Sequence, residues 1–211
     1  MSTGQSFWEM DEMRIITGAM VIIGGATALL VVMPYLLLKE LPPPPALKPY
    51  TSLQLEGRQS YIANGCVYCH SQQPRDMSQA PDFQRGWGRA SVAGDYAHDT
   101  PHLLGTMRTG PDLMNIGARQ PSKDWHLGHL YQPRAYTPGS IMPSYPYLFE
   151  VRQGAAKPDE TVVNLPPAFA QPGQVVVARP EALALVAYLL AMDRTYPALA
   201  PIVPASAQEK R

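Results

Sequence analysis

Residues 15–38 read IITGAMVIIGGATALLVVMPYLLL, 24 consecutive positions without a charged side chain. A helix needs about 20 apolar residues to cross the hydrocarbon core of a bilayer. A helix of that length buried in a soluble domain would show a polar stripe, and none is visible here. A cleaved signal peptide has an apolar core of only ~7–15 residues and a small-residue cleavage site, whereas this run ends in Leu36-Leu37-Leu38-Lys39. The expectation is a single membrane anchor over 15–38, kinked near its outer end by Pro34, with a short tail at 1–14. Flanking charge does not orient it. Arg14 stands on one side and Lys39 on the other, and acidic residues weigh little in the positive-inside bias.

Directly beyond the anchor comes Leu41-Pro42-Pro43-Pro44-Pro45, a polyproline II signature that extends ~3.1 Å per residue. Residues 39–50 therefore read as a stiff stalk. Proline is 23 of 211 residues, about twice the ~5% average. Since 45% of the chain is apolar, global disorder is excluded, and the prolines belong to the linker and to a loop-rich fold. The 17 basic and 17 acidic residues balance, so no nucleic-acid partner is expected.

The soluble domain is expected over 51–196. Thr51 with Gln54 fits a capping box that opens a helix whose apolar positions are Leu53, Leu55, Tyr61 and Ile62, up to Gly65. Residues 72–121, rich in Gly, Pro and Asp, read as ordered loop. A second helix is expected from near Ser122, carrying Trp125, Leu127 and Leu130 until Pro133 stops it. Residues 150–178 read as loop with a short strand at 175–177. Pro180 and Glu181 open an apolar helix over 182–192, too short to cross a bilayer. The tail at 197–211 is expected to be disordered.

Cys66-Val67-Tyr68-Cys69-His70 holds the chain's two cysteines. Two thiols at this spacing can each form a thioether to one vinyl group of a haem, with the adjacent histidine facing the iron. A thioredoxin-like pair would need a βαβ context, and a zinc site would need further soft ligands that the chain lacks. The motif implies one covalently bound haem c, held by Cys66 and Cys69 and ligated by His70. A sixth ligand could come from His98, His102, His126 or His129, or from Met77, Met107, Met114, Met142 or Met192. An open position would signal a catalytic haem.

Gln132-Pro133-Arg134-Ala135-Tyr136-Thr137-Pro138-Gly139-Ser140-Ile141-Met142 resembles the class I cytochrome c segment Asn-Pro-x-x-Tyr-x-Pro-Gly-Thr-x-Met, whose methionine binds iron. Arg108-Thr109-Gly110-Pro111-Asp112-Leu113 resembles the same family's Gly-Pro-x-Leu turn. The resemblance implies Met142 as second axial ligand, ahead of His126 or His129. It also implies that the Pro111 carbonyl accepts the second N–H of His70, a bond that fixes a ligand's orientation. Trp125 and Tyr136 are candidates either to donate to a haem propionate or to be plain core. The implied fold class is mainly α: one N-terminal transmembrane helix and a loop-rich class I cytochrome c domain whose terminal helices cross.

A narrower likeness rests on Cys69-His70-Ser71-Gln72, Arg89-Ala90-Ser91-Val92-Ala93-Gly94-Asp95-Tyr96, Asp99-Thr100-Pro101-His102, Asp124-Trp125-His126, His129-Leu130-Tyr131 and Met142-Pro143 with Tyr145-Pro146. Over residues 52–148 the chain resembles the monohaem subunit II of cbb3-type cytochrome c oxidases, and the anchor also matches. The likeness fades after Phe149. It implies a subunit that passes electrons from a donor cytochrome c, or another cytochrome c subunit, to a haem–copper catalytic membrane subunit. The chain alone would not be catalytic. Location would be the bacterial inner membrane, single-pass and in contact with lipid, with the C-terminal haem domain in the periplasm. Alternatives are the cytochrome c subunit of a nitric oxide reductase, a free-standing tethered shuttle, or a peroxidase-like haem protein with an open site. Finally, the insert at 74–107 is dense in Arg and aromatic residues, which are enriched at interfaces. It is expected to dock on the catalytic subunit through Arg89 to Asp99, with Trp87 and Arg89 as anchors.

Overall fold

The computed structural model describes residues 12–39 and 42–198. The expected tail at 1–14 lies mostly outside them, as does that at 197–211. Two compact units divide at Pro42 and Pro43.

The first unit is one continuous helix, Glu12–Leu38, long and apolar enough to cross a membrane. Its 27 residues span about 40 Å at 1.5 Å per residue. It comprises α1 (Glu12–Thr27), a π-helical turn (Ala28–Val32) and α2 (Met33–Leu38). Pro34 has no N–H to give to the turn before it. The ladder shifts there to a wider bond, with the Met33 N–H donating to the Ala28 carbonyl. The proline thus accommodates as a local π turn.

The second unit is helix-rich with one small sheet. Its helices are α3 (Ser52–Ala63), α4 (Ile116–Arg119), α5 (Lys123–Tyr131), α6 (Pro133–Tyr136) and α7 (Pro180–Ala191). The antiparallel pair β1 (Phe149–Gln153) and β2 (Gln174–Ala178) aligns Val151 with Val176. The free rod expected for 39–50 is shorter than its prolines suggest. Pro44 and Leu47 are buried, and the Leu47 N–H donates to the Pro44 carbonyl at 2.9 Å. An apolar residue three positions on lets the chain turn and bury both.

α3 starts where its capping box does: the Gln54 N–H reaches Thr51 Oγ1 at 3.3 Å, and the Thr51 N–H reaches Gln54 Oε1 at 2.9 Å. Its buried face is Gly57, Arg58, Ser60 and Tyr61, not the leucines. Leu53 and Leu55, in the first turn of the helix, are about half exposed. The face that matters packs on α7. Gly57 is the point of closest approach, since a Cβ there would stand 1.9 Å from the Ala184 carbonyl oxygen. Tyr61 meets Tyr188 edge to face at 5.6 Å. Gly65, at φ 68°, takes the left-handed conformation that ends helices and turns the chain into the 3₁₀ turn Cys66–Tyr68.

α5 begins at Ser122, whose Oγ accepts the Trp125 N–H at 3.2 Å. Pro133 closes α5 and opens α6, where its missing N–H costs nothing. Residues 72–115 hold only a 3₁₀ turn, Ala93–Tyr96, among irregular backbone. Three ion pairs with buried carboxylates fix this segment: Arg58 with Asp99, Arg89 with Asp95 and Arg108 with Asp82.

Trp87 and Arg89, the expected docking anchors, also have partners within the domain. Trp87 is 9% exposed, with the Arg85 and Arg108 guanidinium groups over its ring at 5.1 and 5.4 Å. Arg89 is bound bidentately to Asp95 at 2.7 and 2.8 Å and donates to the Tyr196 carbonyl. Both side chains fasten the insert to its own domain.

Candidate functional site

The motif at 66–70 sits where α3 ends, so its three polar side chains are delivered by one turn. Cys66 and Cys69 are unpaired thiols, the first half-buried and the second exposed. Burial pushes the Cys66 thiol up to about 11, the opposite of what a reactive redox thiolate needs.

His70 is held from a segment 41 residues away. Its Nδ1–H donates to the Pro111 carbonyl at 2.7 Å, which leaves Nε2 as the ring's free ligating nitrogen. Burial lowers its pKa below the usual range, and the bond to Pro111 opposes that, so the ring is neutral at pH 7. Gly110 makes the approach feasible. A Cβ at that position would lie 2.3 Å from His70 Cε1 and 2.7 Å from Nδ1. Two further bonds set the register of the segments: the Gly110 N–H to the Cys69 carbonyl at 2.9 Å, and the Leu113 N–H to the Ser71 carbonyl at 2.8 Å.

These residues open onto a cavity of about 570 Å³, within the ~300–1,000 Å³ usual for ligand and cofactor sites. Cys66, Cys69, His70, Pro111, Trp125 and Met142 all line it, and apolar walls come from Leu113, Ile116, Leu130 and Leu189. Of the downstream methionines considered as ligands, Met142 is the one among the lining residues. Met114 and Met192 are each 1% exposed in the core, while Met77 and Met107 are exposed. Met142 is presented by a Pro-Gly loop, with its N–H on Ser140 Oγ at 3.2 Å.

His126 and His129 also line the cavity. Nε2 of His126 is engaged by the Gln120 carbonyl at 2.8 Å. His129 stacks on Trp125 at 4.4 Å and 10°, its Nδ1 buried without a hydrogen-bond partner. Burial first, then the neighbouring His126 and His70, push its pKa down to about 4. Tyr136 is turned away: its hydroxyl donates to the Asn164 carbonyl at 2.8 Å, and Gly128 supplies the space its ring occupies. It is not among the cavity-lining residues.

The donor set fits an iron tetrapyrrole. Two thiols, a neutral imidazole nitrogen and a thioether converge on one largely apolar cavity, and the imidazole's other nitrogen is already fixed. Among the described residues no cluster of three or more His, Cys, Asp or Glu side chains could hold a bare metal ion. Sequence reasoning missed Gly110. The glycine was visible in the Gly-Pro turn, but its purpose shows only once His70 lies against it.

A family model described as cytochrome c oxidase, mono-heme subunit/FixO matches residues 5–165, more than half of the chain. No curated protein matches. β2 and α7 lie beyond the matched region.

Proposed function

The chain belongs to the cytochrome c oxidase mono-heme subunit family, and from that premise we propose that it is the membrane-anchored electron-transfer subunit of a cbb3-type oxidase. It would carry one haem c bound through Cys66 and Cys69. The observation that carries this reading is that Met142 lines the cavity shared by Cys66, Cys69 and His70.

Bound there, the haem supplies a one-electron couple whose potential depends on its axial ligands. His70 and Met142 would hold the iron through an imidazole nitrogen and a thioether, and the subunit would pass electrons on rather than bind oxygen itself. Pro111 fixes the imidazole, which raises its basicity and holds its orientation. Trp125 and the apolar walls exclude water. Tyr136, engaged with Asn164, takes no part in holding a propionate. Partners are the catalytic haem–copper subunit and a donor cytochrome c or second cytochrome c subunit. The family's description names the oxidase, which favours it over a nitric oxide reductase. Haem of this kind is attached outside the cytoplasm, so the Glu12–Leu38 helix would span the inner membrane and place residues 51–196 in the periplasm.

The test is Met142→His in the full chain. The variant should keep its haem through acid–acetone extraction and stay low-spin, but its reduction potential should fall, because a thioether disfavours the ferric state relative to imidazole. A Met142→Ala variant with unchanged spectrum and potential would move the ligand to His129. Protection of the 51–196 domain from protease in spheroplasts would refute the orientation.

A further inference from the structure

Asp112 has no exposed surface and no part in the scheme above, yet it adjoins the carbonyl that orients His70. Its Oδ2 accepts from Ser71 Oγ at 2.6 Å and from the Gln73 N–H at 2.7 Å. Its Oδ1 accepts from the Met114 N–H at 2.9 Å. The carboxylate thereby ties residues 71–73, immediately after His70, to residues 112–114, immediately after Pro111. Arg119 donates to the Asp112 main-chain carbonyl, and Arg108 Nη2 stands 3.9 Å from Oδ2.

Two consequences follow from chemistry alone. Neither segment belongs to a helix or strand, so the carboxylate's three bonds add to the two backbone bonds, Gly110 to Cys69 and Leu113 to Ser71, that hold the Pro111 carbonyl against Nδ1. A carboxylate with three donors and two nearby guanidinium groups is also a favourable place for a negative charge. Burial works the other way and raises its pKa, opposed by Ser71, Met114, Gln73 and Arg108. A fixed negative charge beside an iron centre favours its more positive, oxidised state.

We propose that Asp112 is a positioning residue for His70, ionised in the native protein, which clamps the Pro111 carbonyl onto Nδ1 and holds the reduction potential below the value the axial ligands alone would give. This rests on the assignment of His70 as an iron ligand.

The experiment compares Asp112→Asn and Asp112→Ala with the parent, as full-length haem-loaded protein in detergent. It reads the potential by spectroelectrochemical titration at pH 7 and the exchange of the His70 ring N–H by proton NMR. Asn keeps shape and an acceptor but not the charge. It should raise the potential while the ring N–H stays protected. Ala removes the clamp as well, and should also speed ring N–H exchange by about tenfold, the equivalent of one hydrogen bond. An Asp112→Asn potential equal to the parent's overturns the charge. Unchanged exchange in Asp112→Ala overturns the clamp, and if that variant does not fold, exchange in Ser71→Ala, which loses the 2.6 Å bond, decides the same point. A parent protein that loses its haem on acid–acetone extraction, or lacks a His70-ligated spectrum, refutes the underlying assignment instead.

Discussion

The α3–α7 crossing can be probed with a single methyl group. In Gly57→Ala the new Cβ would stand 1.9 Å from the Ala184 carbonyl oxygen, 2.5 Å from its carbon and 2.9 Å from Tyr188 Cβ. Two of these are backbone atoms of α7 and have no rotamer to escape into. Ordinary contact begins at 3.4 Å, so the helices must part by about 1.5 Å at this point, the difference between the two distances. Parting them loosens Tyr61 against Tyr188, which now meet at 5.6 Å. Overpacking of this kind costs roughly 1–3 kcal/mol, and a backbone clash belongs at the upper end. Alanine in place of glycine returns about 1 kcal/mol through helix propensity. The net expectation is a loss of about 2 kcal/mol, or roughly 4–8 °C in Tm for a domain of this size. Thermal and urea unfolding of the full chain in detergent would read it, with Gln59→Ala on the exposed face of the same helix as the control for propensity. A Gly57→Ala protein as stable as the control variant would refute the close crossing.

Gly110→Ala needs no unusual backbone angle, but it would drive the His70 ring back by about 1 Å from the 2.3 Å clash; the haem should stay attached while the visible spectrum gains high-spin character, and an unaltered spectrum would count against the packing. Asp82 is buried, and although burial works against its ionisation, donors from Arg108 and the Arg75 N–H hold its pKa below the usual value. A depressed carboxylate contributes stability above its unfolded pKa near 3.8 and loses it as pH falls through the lower folded value. Urea midpoints across pH 2–7 should therefore drop at the acid end, and Asp82→Ala should flatten that limb while costing about 3 kcal/mol at pH 7 by stranding Arg108. Tyr136→Phe should lose about 1 kcal/mol, one hydrogen bond to Asn164, with potential and spectrum unmoved; a shifted potential would return Tyr136 to the site.

Features that depend on near neighbours were legible in the sequence. The long apolar helix followed from length and apolarity, and α3 from its capping box. Features that depend on pairing over distance were not. β1 is five residues with one buried side chain, Phe149, and it exists because β2, some 20 residues later, offers the apolar partner strand. Of the apolar positions expected on α3, Tyr61 is in the core, but the rest of its contact surface includes Gly57 and Arg58, which no hydrophobic pattern selects. Trp87 and Arg89 looked like interface residues by type, and only the positions of Arg108, Asp95 and Tyr196 show that they are already engaged. At the site, the pocket methionine was readable from its loop, whereas Gly110 and Asp112 gain meaning from His70, some 40 residues upstream.

The buried carboxylates explain how a segment with so little regular structure can hold a fixed conformation against the His70 ring. Asp82, Asp95, Asp99 and Asp112 are each at most 5% exposed, all within irregular or 3₁₀ backbone. Helix and strand ladders normally satisfy buried backbone groups. Here the side chains do it: Asp82 takes the Arg75 N–H, Asp95 the Val92 N–H, and Asp112 those of Gln73 and Met114. Apolar replacements of buried ion pairs are often as stable or more so, so stability alone does not account for four of them in one segment. What they provide is directionality, since each fixes two segments at hydrogen-bond precision. Three are matched by an arginine at 2.5 to 3.3 Å, whereas the guanidinium nearest Asp112 stands at 3.9 Å. The carboxylate whose nearest guanidinium is most distant is therefore also the one that adjoins Pro111, whose carbonyl accepts the His70 Nδ1–H.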